Sequence, residues 1–323
     1  MTETGMPESD PSREATPYGA ACVVVVGSLN MDLVARVPRL PIAGETLSGS
    51  GFAQMPGGKG ANQAVAAARL GAKVAMIGCV GTDANGATLR AGLEAEGIEC
   101  AALGMSATAP TGVALIVVDD AGRNSIVIVA GSNGELTPAD IARNDAVLAS
   151  SDVVVCQLET PPETVGAALA VGRRLGKTVI LNPAPATGPL PANWLPLVDY
   201  LIPNEVEAAA LTGLPIRSPQ DAAVAALELR RQGARNVIIT LGAEGVLAAL
   251  NSSPVHREAP RVTAIDTTAA GDTFIGAFAA QLAQRASVDA ALCFAQQAAA
   301  LSVTRAGAQP SIPRRAEVEQ ATR

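Results

Sequence analysis

The sequence predicts an α/β fold: a central, mostly parallel sheet flanked by helices, with a small β-sheet lid beside it. Three observations carry this prediction. Short Val/Ile runs alternate with Ala-rich stretches of helical spacing, as at 153–155, 165–175 and 179–181, the rhythm of repeated βα units. Two segments, 33–56 and 108–130, offer strand patterns and turns but no helix, so they suit a separate small sheet. An apolar fraction of 49% over 323 residues is ample for a buried core.

Residues 1–20 are rich in Pro, Ser, Thr and acidic groups and read as a disordered tail, ahead of one α/β domain over 21–315 and a short C-terminal tail over 316–323. Residues 22–26 form a buried-type strand ending at Gly27-Ser28, which sets Asn30 and Asp32 where a strand's carboxyl end opens into a crevice. Residues 33–54 loosen into Pro and Gly turns with strand-like fragments such as Glu45-Thr46-Leu47. Gly57-Gly58-Lys59-Gly60-Ala61-Asn62 then opens a helix that ends at Leu70-Gly71, and a strand at 74–77 follows. Strand patterns at 113–118 and 125–129 flank Asp119-Asp120-Ala121-Gly122, a hairpin signal.

From about Ser151 regular βα units take over, with strands near Val153, Val179, Tyr200, Val237 and Val246. Gln157-Leu158-Glu159, Asn182-Pro183-Ala184-Pro185, Asn204-Glu205-Val206-Glu207 and Thr240-Leu241-Gly242-Ala243-Glu244-Gly245 follow these strands. Polar groups at strand ends are where such a sheet gathers a site, although each one alone is equally a turn or a helix cap. Phe274, Ala277, Phe278 and Leu282 fall at helical spacing, so a helix from Asp272 should pack on the core.

A net charge of −7 and a pI near 4.9 argue against nucleic-acid or anionic-membrane partners, which need clustered Lys and Arg. No stretch approaches the roughly 20 apolar residues of a membrane span, and the N-terminal residues lack the basic and apolar regions of a signal peptide. A cytoplasmic location is expected. Five cysteines without C-x-x-C spacing give neither a disulfide framework nor a zinc site, and buried thiols are expected. The one histidine, His256, excludes multi-histidine metal sites and reads as a surface-loop residue rather than the base of a Ser-His-Asp triad.

The run Asp266-Thr267-Thr268-Ala269-Ala270-Gly271-Asp272-Thr273-Phe274 brings a carboxylate to a helix start among residues small enough for close backbone approach. Free N–H groups of a first helical turn and the helix dipole suit an anion such as a transferring phosphate. Asp272 could accept the proton of an attacking hydroxyl while backbone donors stabilise the phosphoryl oxygens. An N-capping Asp is the plainer reading of Gly-Asp alone. The 57–62 segment is not a Walker A loop, since Ala53 stands where a glycine is needed and Gly60 where Ser or Thr would meet magnesium. It is not a dinucleotide fingerprint either: Gln54 and Gln63 occupy the third glycine positions after Gly49-x-Gly51 and Gly58-x-Gly60, which disfavours a dehydrogenase. Lys59 is one of three lysines, either a functional ammonium or a solvated turn residue.

Together the segments at residues 23–313 resemble the PfkB, or ribokinase-like, carbohydrate kinase family. The resemblance rests on Gly27-Ser28-Leu29-Asn30-Met31-Asp32, the 57–62 segment with Gln63-Ala64-Val65-Ala66-Ala67-Ala68, Thr111-Gly112-Val113-Ala114 and Gln157-Leu158-Glu159. It continues through Leu181-Asn182-Pro183-Ala184-Pro185-Ala186, Pro203-Asn204-Glu205, Thr240-Leu241-Gly242, the 266–274 run and Arg305-Ala306-Gly307-Ala308-Gln309-Pro310-Ser311. It implies a kinase that transfers the γ-phosphate of ATP to the 5-hydroxyl of D-ribose, with Mg²⁺ carried by ATP and K⁺ as an activating monovalent cation. Kinases of deoxyribose, fructose or nucleosides, and a non-catalytic sugar or nucleotide sensor, are the alternatives.

By the same resemblance, Asp32, Gly58, Lys59, Asn62 and Glu159 match sugar-binding positions, with Asn30 and Gly57 beside them. Asp272 matches the catalytic base, and Ala269, Ala270 and Gly271 the anion hole. Asn204 and Glu207 match an N-x-x-E element associated with magnesium and phosphate. Thr240, Leu241, Gly242, Ala243, Glu244 and Gly245 match a nucleotide loop, to which Gly271, Asp272 and Gln296 are added. Asp266, Thr268, Ser302, Arg305, Gly307 and Ser311 match positions around the monovalent cation. Gln296 stands where some relatives are expected to have His near adenine, and Ala306 where others have a larger residue. A homodimer paired through the lid is also expected.

Overall fold

The structure, a computed structural model, describes residues 22–186, 188–250 and 253–321; the expected tail over 1–20 lies outside them. The chain begins with strands β1 (Cys22–Val26), β2 (Asn30–Val37) and β3 (Gly51–Gly57), helix α1 (Lys59–Arg69), strand β4 (Lys73–Gly81), helix α2 (Ala84–Ala95) and strands β5 (Leu103–Ser106), β6 (Gly112–Asp119) and β7 (Asn124–Val129). Helices α3 (Pro138–Arg143) and α4 (Asp145–Ala149), strand β8 (Val153–Cys156), helix α5 (Pro162–Arg174) and strands β9 (Thr178–Leu181) and β10 (Tyr200–Leu201) follow. Helices α6 (Glu205–Thr212) and α7 (Pro219–Arg231) precede strands β11 (Asn236–Thr240), β12 (Val246–Ala249) and β13 (Val255–Arg257). Helices α8 (Ala270–Ala283), α9 (Val288–Ser302) and α10 (Arg315–Ala321) close the chain.

The large sheet has the order β13-β12-β11-β10-β9-β8-β1-β4-β5. It is parallel except at β12, which runs antiparallel to both neighbours. Strand side chains point alternately to its two faces. Val23, Val25, Val153 and Val155 belong to the core on one side, with residues of α1, α8 and α9, while Val24, Val26, Val154 and Cys156 belong to the core on the other, with residues of α5 and α7. Burial on both faces explains why these strands read as unbroken Val/Ile runs. The chain winds outward from β1 to β4 and β5, then returns to β8 and winds the other way. The switch point between β1 and β8 is where a crevice opens at strand carboxyl ends in such sheets.

The second sheet, of order β3-β2-β6-β7, joins the two helix-free stretches. Strand β2 is antiparallel to β3 and parallel to β6, so Asn30 lies level with Gly57 and Gly112, and Asp32 with Met55 and Ala114. This sheet grows directly from the end of β1, which carries Asn30 and Asp32 to the rim of the large sheet.

Several expectations need correction. Residues 45–47 form no strand, and β3 starts only at Gly51. His256 lies on β13, exposed, with Nε2 2.6 Å from the Glu244 carbonyl. Cys293 is exposed while the other four thiols are buried. The expected C-terminal tail is largely helix α10, held because Val318 is buried in the main core; residues 322–323 lie outside the described residues. Helix α8 starts at Ala270, two residues before the expected start, so Asp272 sits inside the first turn and does not cap it.

Candidate active site

The Asp272 carboxylate is placed by the seam between α1 and α8. Phe274 and Phe278 anchor α8 in the core, their rings stacked at 6.3 Å, with Tyr200 edge-on to Phe278 at 5.1 Å. Burial of each ring contributes about 2–3 kcal/mol. One helical turn beyond Asp272, Gly276 lets the helices touch: a Cβ there would sit 2.5 Å from Ala66 Cβ and 2.6 Å from the Gln63 carbonyl oxygen. That approach brings Asp272 to α1. Asn62 Nδ2 donates to Asp272 Oδ2 at 3.0 Å, and Gln63 Nε2 donates to Asp272 Oδ1 at 2.9 Å.

Ala269 precedes α8 in the left-handed region, φ 60°, a strained conformation for a side chain other than glycine. The turn leaves Thr273 N–H to make the first i→i−4 bond, to Ala269 O at 2.8 Å. Gly271 and Asp272 N–H therefore lack intrahelical acceptors, and both residues line a cavity of about 170 Å³ with Lys59, Asn182, Asn204 and Glu207. A helix start with free N–H donors of this kind suits an anion, and this one carries a carboxylate in its first turn.

Toward the small sheet, Asn30, Asp32 and Asn62 are buried, and Glu159 reaches back across the switch point. Its Oε2 accepts from Ser28 Oγ at 2.6 Å and from Lys59 N at 3.2 Å. Gly57 lies against the Asp32 carboxylate, where any Cβ would overlap it, and Gly58 holds φ 88° with Asn30 N close behind. Burial, then the Glu159 and Asp272 carboxylates, push Asp32 up to about 7, with Lys59 opposing. Burial acts to lower the Lys59 ammonium, but Asp272, Glu159, Glu207 and Asp32 outweigh it and hold it above its ordinary value. Lys59 is thus the cation that balances four carboxylates, and the solvated-turn alternative does not describe it. The Asn62 Oδ1 acceptor is buried without a partner among the described residues.

On the other side of Asp272 a cavity of about 400 Å³ is lined by Thr240, Gly242, Ala243, Gly245, Gly271 and Gln296 among others. It meets the smaller cavity at Thr240, Thr267, Ala270 and Gly271. Leu241 and Glu244 do not line it: Leu241 is buried in the core and Glu244 is exposed. Gln296 Nε2 donates to the Arg257 and Glu258 carbonyls at 3.2 and 3.1 Å, which fixes the cavity's rim. Asn204 and Glu207 form a reciprocal capping box on α6. Burial raises the Glu207 carboxyl, against the Asn204 N–H and Lys59 that favour its ionised form.

The expected cation positions gather where two loops meet. Asp266 Oδ1 accepts from Thr268 N and Oγ1, and its Oδ2 accepts from Gly307 N at 2.8 Å. Ile265 and Asp266 N–H both reach Val303 O. Ser302 and Ser311 are buried with hydroxyls donating to Ala299 and Ala308 carbonyls, and Arg305 pairs with Glu317. These side chains order the two loops against each other. Sequence reasoning assigned no role to Gln63, Asn133, Thr267 or the 259–264 segment, all of which build these walls. Asn133, which donates to Asn30 Oδ1 at 2.8 Å, carried no motif, and the 259–264 segment showed only a loss of periodicity.

A helix-flanked parallel sheet, a small sheet over its switch point and a helix start that suits an anion beside a buried carboxylate define a small-molecule phosphotransferase. The chain matches the model of the pfkB family carbohydrate kinases over residues 20–315 and belongs to that family. It is 44% identical to a ribokinase of Haemophilus influenzae over 295 residues, 91% of this chain and 96% of the relative. It is 40% identical to a deoxyribokinase of Salmonella typhimurium over 291 residues, 90% and 95% of the two chains. An Arabidopsis thaliana ribokinase solved with ribose and ATP superposes with a TM-score of 0.86 at 32% identity, over 93% of this chain and 98% of that one.

Proposed function

We propose that the protein transfers the γ-phosphate of ATP to the 5-hydroxyl of D-ribose. The observation that carries this reading is Asp272, held by both carboxylate oxygens between a polar cluster and a phosphate-sized cavity that continues into a larger one. The sugar lies against the cluster of Asn30, Asp32, Lys59, Asn62 and Glu159, whose polar groups offer partners for its hydroxyls. Asp272 takes the proton of the attacking hydroxyl as the new O–P bond forms and the bond to the β-phosphate oxygen breaks, releasing ADP. The Gly271 and Asp272 N–H groups stabilise the transferring phosphoryl group, and Lys59 adds positive charge beside it. The small sheet covers the sugar and excludes water.

Glu207, with Asn204 beside it, offers oxygen donors that fit Mg²⁺, which supplies charge neutralisation on the phosphates when bound. The loops joined by Asp266 and Gly307 fit K⁺. Four buried free thiols support a reducing, cytoplasmic setting, and no helix among the described residues is long and apolar enough to cross a membrane.

The test is ADP formation from Mg-ATP with D-ribose, deoxyribose and fructose, with and without K⁺. Ribose is expected to give the highest kcat/KM, and Asp272→Asn to lower kcat by about 10²–10⁴-fold. A preference for deoxyribose would reassign the sugar, and full activity of Asp272→Asn would remove the base.

A further inference from the structure

We infer that Gln63 is a positioning residue for the base, an inference that rests on Asp272 acting as proposed above. Gln63 has no exposed surface, so it does not touch the sugar. Its Nε2 gives one hydrogen to Asp272 Oδ1 at 2.9 Å and the other to Asn182 Oδ1 at 3.1 Å. Its Oε1 accepts from Gln157 Nε2 at 2.6 Å. Asn182 is itself oriented, because its Nδ2 donates to Ile202 O at 2.9 Å. The Gln63 amide therefore has one workable orientation: turned over, its oxygen would face the Asp272 and Asn182 oxygens and its hydrogens would face the Gln157 amino group.

The strands and helices that supply this chain are far apart in sequence. Gln157 follows β8, Asn182 follows β9 and Gln63 sits in α1. With Oδ1 held by Gln63 and Oδ2 by Asn62, the carboxylate plane is set before substrate arrives, so reaction needs no reorientation of the base. A buried amide network serving only stability would hold the helix but leave the proton-transfer step unaffected once folded. The two roles give different kinetics.

The experiment compares Gln63→Met and Gln63→Glu with wild type, using ATP and whichever sugar of the panel wild type turns over best. Gln63→Met keeps the length and loses the donor; kcat should fall 10-fold or more while the sugar and ATP KM stay within about threefold. Gln63→Glu replaces an N–H donor by a group that donates only when protonated. Beside Asp272, which itself faces Lys59, Asp32 and Glu207, one of the two carboxyls should hold its proton to raised pH. Its kcat relative to wild type should recover as pH is lowered from 9 toward 6. A kcat for Gln63→Met within twofold of wild type, or a Gln63→Glu profile parallel to wild type, overturns the inference. Should Gln63→Met not fold, Gln63→Glu carries the test. Absence of ribose turnover by wild type, with another sugar active, would defeat the substrate reading and leave this one standing.

Discussion

In the proposed site, Asp32 joins sugar binding to pH. Its carboxyl is pushed up to about 7 by burial and by the neighbouring Glu159 and Asp272 carboxylates, so it is ionised above that pH and protonated below. The ionised form offers oxygens only as acceptors, and protonation removes accepting capacity from the sugar cluster. The sugar KM should therefore rise as pH falls from 8 to 6, approaching about tenfold per pH unit at the lower end. Asp32→Asn should flatten that dependence while raising KM throughout. A wild-type KM that is level across this range would contradict the assignment. Lys59, held ionised by the same carboxylates, stays charged over the whole interval and contributes no slope.

Among the elements, the α1–α8 seam sets the position of Asp272, the proposed base. Gly276→Val would force α8 away from Ala66 and Gln63, at a cost of about 1–3 kcal/mol, and lengthen both bonds to Asp272. A kcat loss of 10-fold or more is expected, with thermal stability lowered; unchanged kcat would show that the seam does not position the base. Gly92→Ala in α2, where a Cβ meets nothing within 4 Å, is the control and should stabilise by about 0.4–1 kcal/mol. The parallel strands and the switch-point loops were legible because burial on both faces leaves unbroken apolar runs and polar residues collect at their ends. The Gln63 chain was not: an amide inside an Ala-rich helix carries no periodic signal, and its partners lie 94, 119 and 209 residues away. Helix α10 was missed because a single apolar anchor, Val318, holds it.

For the molecule as a whole, the small sheet points to a second copy. Ile128 lies level with Ala114, and Ala114 with Asp32, so Ile126 and Ile128 share the site-facing side and yet are exposed, as Leu115, Val127 and Val129 are on the other. Such surface, with strand edges at β3 and β7, favours covering by a like sheet. Sedimentation of wild type should give a dimer mass, and Ile126→Glu with Ile128→Glu should give a monomer; a monomeric wild type would reject the pairing. The same molecule places Asn62 and Asp272, whose side chains are bonded, 210 residues apart. As the chain emerges during synthesis, Asn30, Asp32, Lys59, Asn62 and Glu159 are complete long before Asp272 and the turn leading into α8 exist. With Asp272 as the proposed base, a growing or truncated chain thus has nothing with which to activate a hydroxyl, and phosphate transfer begins only when α8 has met α1.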